Sequence, residues 1–200
     1  MNVEIRDARF RSVVGDDAEV EEIGSGFDFT EGTMWNHVER HLIFSDMPGN
    51  IMRKWTPDGR ISTFRQPSNM ANGNYYDRQG RLVTCEHDSR RVTRTEYDGT
   101  ITVLMDRHDG KPLNSPNDVV VKSDGSIWLS DPPFGILGNY EGHVATPELP
   151  TNVYRVDGAT GRATVATGDV PRPNGLCFSP DESKLYVVVS GAMPREIRVF

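Results

Sequence analysis

Apolar residues in this chain fall in short runs punctuated by Gly, Pro, Asp and Asn, and the spacing of a helix face is almost absent. The runs recur in a fixed order. One set reads Leu42-Ile43-Phe44, Leu82-Val83-Thr84-Cys85, Ile127-Trp128-Leu129 and Leu185-Tyr186-Val187-Val188. The next carries an arginine in register: Met52-Arg53, Thr93-Arg94, Tyr154-Arg155 and Ile197-Arg198. A turn follows at Asp58-Gly59, Asp98-Gly99 and Thr160-Gly161, and Asp-Gly is a strong tight-turn pair. After each turn comes another run: Ile61-Ser62-Thr63-Phe64, Ile101-Thr102-Val103-Leu104 and Ala163-Thr164-Val165-Ala166. Ahead of these, Glu31, Asn72, Asn117 and Asn174 each open a first apolar run.

Each unit therefore predicts four short antiparallel strands. The heads are spaced by 41 residues from Glu31 to Asn72, 45 from Asn72 to Asn117 and 57 from Asn117 to Asn174. Four-stranded units of roughly 40 to 50 residues mark the blades of a β-propeller. A sandwich or barrel needs alternating strands but not this strand-by-strand register, so the expected fold class is all-β, a propeller of about four blades in this chain. The long third interval comes from an insertion over residues 132–151, rich in Gly and Pro, that predicts a loop over the channel mouth. Residues 20–23, Val20-Glu21-Glu22-Ile23, read as a lone outer strand of the kind that closes a propeller. The chain stops at Phe200 inside a third strand. The expectation is one C-terminally incomplete domain over residues 1–200, with a true four-bladed ring as the rival.

Composition narrows the partners. There are 22 Lys and Arg against 29 Asp and Glu, a formal charge of -7, with no basic stripe to offset it, which argues against nucleic acid. Arg90, Arg91 and Arg94 read as a solvated strand face. Cys85 and Cys177 lie in apolar runs of different units and read as buried free thiols, in keeping with a reducing compartment. No apolar stretch reaches spanning length, and Met1-Asn2-Val3-Glu4 has neither a basic nor an apolar leader region, so no membrane partner and a cytoplasmic location are expected.

The first strand of a propeller blade lines the central channel. Glu31, Asn72, Asn117 and Asn174 should therefore converge at one mouth of it. Fourteen or fifteen residues after three of these heads come the acids Asp46, Glu86 and Asp131, while the fourth unit has Val189. These acids, with His87 and Ser190-Gly191-Ala192, are expected to rim the same mouth. One carboxylate among amide oxygens is a hard-cation site suited to calcium or magnesium, and no Cys/His cluster favours a structural zinc site. A turn or cap role competes at each Asn taken alone, since Asn-Gly and Asn-Asp are common turn chemistry. A structural hydrogen bond competes at His87, and a turn role at Asp131.

The same residues carry a resemblance. Glu31-Gly32-Thr33-Met34-Trp35, Asn114-Ser115-Pro116-Asn117-Asp118, and Arg172-Pro173-Asn174-Gly175-Leu176 with Ser179-Pro180-Asp181 resemble the gluconolactonase/regucalcin (senescence marker protein) family of six-bladed propellers. Cys85-Glu86-His87, Arg90 to Arg94 and Ser130 to Gly135 look like its bacterial gluconolactonase branch. The resemblance spans roughly residues 20 to 200 and implies four of six blades. It implies a divalent cation, foremost calcium with zinc or magnesium as alternatives, held by Glu31 and Asn174, with Asn117 touching metal or substrate. Asn72, His87 and Asp131 are the further substrate-side candidates. The family's general-base aspartate belongs to a fifth blade, beyond Phe200, so no catalytic residue is assigned here.

The implied activity is metal-dependent opening of a sugar lactone, glucono-1,5-lactone to gluconate. Two alternatives stand beside it: a related propeller esterase or phosphotriesterase, and a non-catalytic cation-binding scaffold. The implied partner is a small-molecule lactone, and the sequence leaves oligomeric state open.

Overall fold

A computed structural model of the chain describes residues 3–200; Met1 and Asn2, part of the N-terminal segment read above, lie outside the described residues. After a 3-10 turn at Ala8–Phe10 and one helical turn, α1 (Arg11–Val14), everything regular is β apart from one further 3-10 turn. The first sheet holds β1 (Thr30–Asn36), β2 (His41–Asp46), β3 (Ile51–Trp55) and β4 (Ile61–Arg65). The second holds β5 (Ala71–Tyr76), β6 (Leu82–Glu86), β7 (Arg91–Thr95) and β8 (Ile101–Met105). A small hairpin of β9 (Arg107–His108) and β10 (Lys111–Pro112) leads to the third, with β11 (Val119–Val121), β12 (Ile127–Asp131), β13 (Asn152–Val156) and β14 (Ala163–Thr167). The fourth holds β15 (Pro173–Phe178), β16 (Leu185–Val189) and β17 (Glu196–Val199).

Strands pair antiparallel in chain order within every sheet. The first strands are neighbours, β1 beside β5, β5 beside β11 and β11 beside β15, so the sheets stand around a common axis as propeller blades. The core lies between blades, and the second and third blades are covered on both faces. β11 shows this directly: Val119 and Val121 face the second blade with Val83, Cys85 and Val92, whereas Val120 faces the fourth with Leu176, Val187 and Val189. That is strand alternation with both faces apolar. Second strands, sandwiched this way, are almost wholly buried, as in β6; outer strands such as β14 are exposed along most of their length.

The insertion lies where the spacing places it, between β12 and β13, and contains a 3-10 turn at Phe134–Ile136. Two expectations change. Residues 20–23 carry no strand, and Val20 and Ile23 are 53% and 42% exposed. Cys177 is exposed while Cys85 is buried. In β15, alternation sends Leu176 into the core and Cys177 to the opposite face. Among the described residues no helix is long and apolar enough to cross a membrane.

Candidate metal and substrate site

A backbone irregularity sits at the head of the first strands. The register slips between Glu31 and Met34, between Ala71 and Asn74, and between Pro173 and Leu176. Such bulges bend a strand and re-aim the side chain beside them. The glycine after the head residue is what permits this. Gly32 has φ +59°, and a Cβ there would lie 1.8 Å from the Asn72 carbonyl oxygen. At Gly73 it would lie 2.6 Å from the Asn117 carbonyl oxygen, which accepts the Gly73 amide at 2.8 Å. Successive blades thus touch backbone to backbone at their heads. A side chain at either glycine would push them apart.

The outcome is one cavity of about 210 Å³ lined by Glu31, Asn72, Asn117 and Asn174 together with Asp118. All four strand heads meet there. Asp118 was not singled out from the sequence. The available signal was that the third head alone follows its amide with an acid where the others have glycine. Its two oxygens accept the Val119 and Leu176 amides, each at 2.9 Å, tying the third blade to the fourth. Burial raises the Asp118 pKa to about 6, opposed by those two amides, with the nearby charge of Glu31 pushing the same way as burial. Burial also pushes the Glu31 carboxyl above its ordinary value, opposed by the Gly32 amide. Glu141, from the insertion, is raised by burial and then by Glu31.

Among the described residues no Lys, Arg or His pairs with Glu31 or Asp118. Carboxylates withdrawn from water without a cationic partner are costly. A hard cation would relieve this. The donor set fits one: an unpaired carboxylate at Glu31 among the amide side chains of Asn117, Asn174 and Asn72. Among the described residues no three His, Cys, Asp or Glu side chains converge as a metal cluster, so any cation here relies on amide oxygens.

The acids that end the second strands do not rim this cavity. They lie one layer out, in the closures of the blades. Asp46 accepts the Asp28 amide at 3.2 Å and lies 3.5 Å from Arg53. Glu86, 1% exposed, accepts from Arg65, Asn69, Ser89, Arg91 and Thr93. Arg91 is therefore no solvated strand residue, and Arg90 binds the carbonyls of Leu113 and Asn114 at 2.7 and 3.0 Å. Asp131 is wholly buried, with one oxygen on the Asn114 amide at 2.8 Å. His87 is wholly buried too, behind Asn72 and under the insertion. Neither His87 nor Asp131 lines the cavity, because second-strand ends are enclosed by the neighbouring blade and the insertion. Asn174 does line it, its Nδ2 held 3.1 Å from Ser190 Oγ.

Comparison with known proteins agrees with this architecture. The chain is 34% identical over 196 residues to a gluconolactonase of Zymomonas mobilis, covering 90% of this chain and 54% of that protein. Its structure superposes on a gluconolactonase from Xanthomonas campestris with a TM-score of 0.84 at 40% identity, covering 89% of this chain and 60% of that one. A calcium-binding regucalcin from Agrobacterium tumefaciens shares the fold at 17% identity, with a TM-score of 0.62 over 83% of this chain and 52% of its own. The chain thus spans about half the length of the curated relative it matches. The SMP-30/Gluconolactonase/LRE-like region matches residues 29–200, and the chain belongs to that family.

Proposed function

We propose that the cavity at the channel mouth holds a divalent cation, best matched by calcium, and that the whole protein uses it to open a sugar lactone. The observation that carries this is the pair of cation-free carboxylates, Glu31 and Asp118, among convergent amide side chains. Kinship with gluconolactonases supports the lactone. Glu31, Asn117 and Asn174 would hold the ion. When bound, it supplies Lewis acidity toward a carbonyl oxygen. The chain's own residues do the remaining work. Asp118 braces the third and fourth heads against each other, so the donors keep their spacing. Asn72 offers a polar wall on the side of the second blade. Glu31 is committed as a ligand and both Asp118 oxygens accept backbone amides, so the proton acceptor from water is assigned to neither.

Calcium titration of this chain by calorimetry, with parallel melting curves, tests the binding step. Saturating calcium should raise the melting temperature in proportion to the logarithm of its concentration, and Glu31→Gln should abolish the rise. The catalytic step is tested on full-length protein by pH-stat hydrolysis of glucono-1,5-lactone. A rate no higher than the EDTA control would sink the lactonase reading, and the absence of calorimetric heat would sink the cation.

A further inference from the structure

His87 has one hydrogen-bond partner on each ring nitrogen, with the Glu141 carboxylate farther off, 3.8 Å from Nδ1. Nδ1 lies 2.9 Å from the Glu141 carbonyl oxygen, and Nε2 lies 3.2 Å from Asn72 Nδ2. A carbonyl oxygen can only accept, so Nδ1 must carry a proton. The ring has no exposed surface and neither nitrogen is hydrogen-bonded to a carboxylate, so a charged imidazolium there would be buried without compensation and the ring is neutral. A neutral imidazole protonated at Nδ1 has a lone pair at Nε2. Nε2 therefore accepts, and Asn72 Nδ2 donates. Turning the Asn72 amide over would set two acceptors against each other. Its Oδ1 is thus directed away from His87, and among the described residues no hydrogen bond engages that oxygen.

The insertion fixes the ring. Glu141 supplies the carbonyl, and Gly135 packs so closely that a Cβ there would lie 2.6 Å from His87 Cγ and Nδ1. The Gly135 amide donates to Ser115 Oγ at 2.9 Å, and that hydroxyl donates to the Pro132 carbonyl at 2.7 Å, which anchors the start of the insertion. The Asn72 backbone is held as well: its carbonyl accepts from Ser45 Oγ and Asn74 Nδ2, each at 2.9 Å.

We infer that His87 is a positioning residue: clamped by the 132–151 insertion, it locks the Asn72 amide so that the side-chain oxygen faces the cavity as a further oxygen ligand for the cation. This rests on the cavity being a cation site. It turns the insertion from a cover into a part that sets the polarity of one wall, through a contact 54 residues away in sequence.

Two measurements on the full chain decide it. Imidazole 15N shifts should show His87 protonated at Nδ1, with a through-hydrogen-bond coupling from its Nε2 to the Asn72 side-chain nitrogen. In calcium titrations, His87→Gln and Asn72→Ala should each weaken binding roughly 10- to 100-fold, as expected when the group orienting a ligand is lost. The double variant should lose no more than Asn72→Ala alone. A proton on Nε2, or additive losses in the double variant, would overturn the inference. A wild-type chain that binds no calcium overturns the cation reading, and the tautomer and coupling then still decide whether His87 orients Asn72.

Discussion

Asp131 offers the sharpest test of how the blades are closed. Its carboxyl is wholly buried, with Oδ2 on the Asn114 amide and Oδ1 without a hydrogen-bond partner among the described residues; Asn114 Oδ1 is likewise unpartnered. Burial pushes its pKa from 3.8 to about 7, against the lowering influence of the Asn114 and Ser115 amides and of Arg90. The folded state therefore holds a proton that the unfolded state has released across that window. A carboxyl with a raised folded pKa costs nothing below about pH 4, and its cost grows as pH rises until it is complete above about pH 7. At about 1.4 kcal/mol per pH unit the ceiling is roughly 4 kcal/mol. Asp131→Asn keeps the shape, keeps an acceptor for Asn114 and removes the titration. Urea unfolding of both proteins at about pH 5 and about pH 8 should show the variant gaining on wild type by about 2 kcal/mol or more at the higher pH. An equal stability difference at both pH values would refute the reasoning, because it would mean that Asp131 titrates in the folded chain as it does unfolded.

Two further substitutions probe the heads and the closures. Gly32→Ala should cost about 2 kcal/mol or more in melting experiments and weaken calcium binding, since the residue has φ +59° and no room for a Cβ, whereas Gly175→Ala, whose nearest neighbour would be Asp118 Oδ2 at 3.6 Å, should cost under about 1 kcal/mol. Equal costs would show that blade contact at the heads does not select glycine. Glu86→Gln leaves Arg65 and Arg91, 18% and 29% exposed, facing a neutral amide and should cost about 3 kcal/mol by chemical denaturation; unchanged stability would mean that these ion pairs do not hold the second blade.

The fold was legible because its information is local and repeated. Runs such as Leu82-Val83-Thr84-Cys85 are apolar throughout since both faces of a second strand meet a neighbouring blade, and the Asp-Gly pairs mark tight turns, with Gly59 at φ +82° and Gly99 at φ +84°. What the pattern could not carry was which blade covers which face. Cys177 and Cys85 occupy similar apolar runs, yet Cys85 lies in a blade flanked on both faces and Cys177 in one with a neighbouring blade on a single face. Residues 20–23 suit a strand by composition, yet none of the four is strand in the structure.

The site divides along the same line. The four heads were legible because a repeat brings equivalent positions to one level, and Glu31, Asn72, Asn117 and Asn174 do share a cavity. The acids Asp46, Glu86 and Asp131 obey the same period but sit a layer out, where a carboxylate serves arginines, amides and the chain's own backbone. Equivalence in the repeat fixes radius and height, whereas a side chain's task depends on what the adjacent blade presents. Asp118 makes the point: at the glycine position of the head, its short side chain reaches the Leu176 amide of the next blade and puts a second carboxylate beside Glu31. A glycine there would leave that amide without its acceptor and the cavity with one carboxylate fewer. The departure from the repeat is therefore where the charge of the cavity is set.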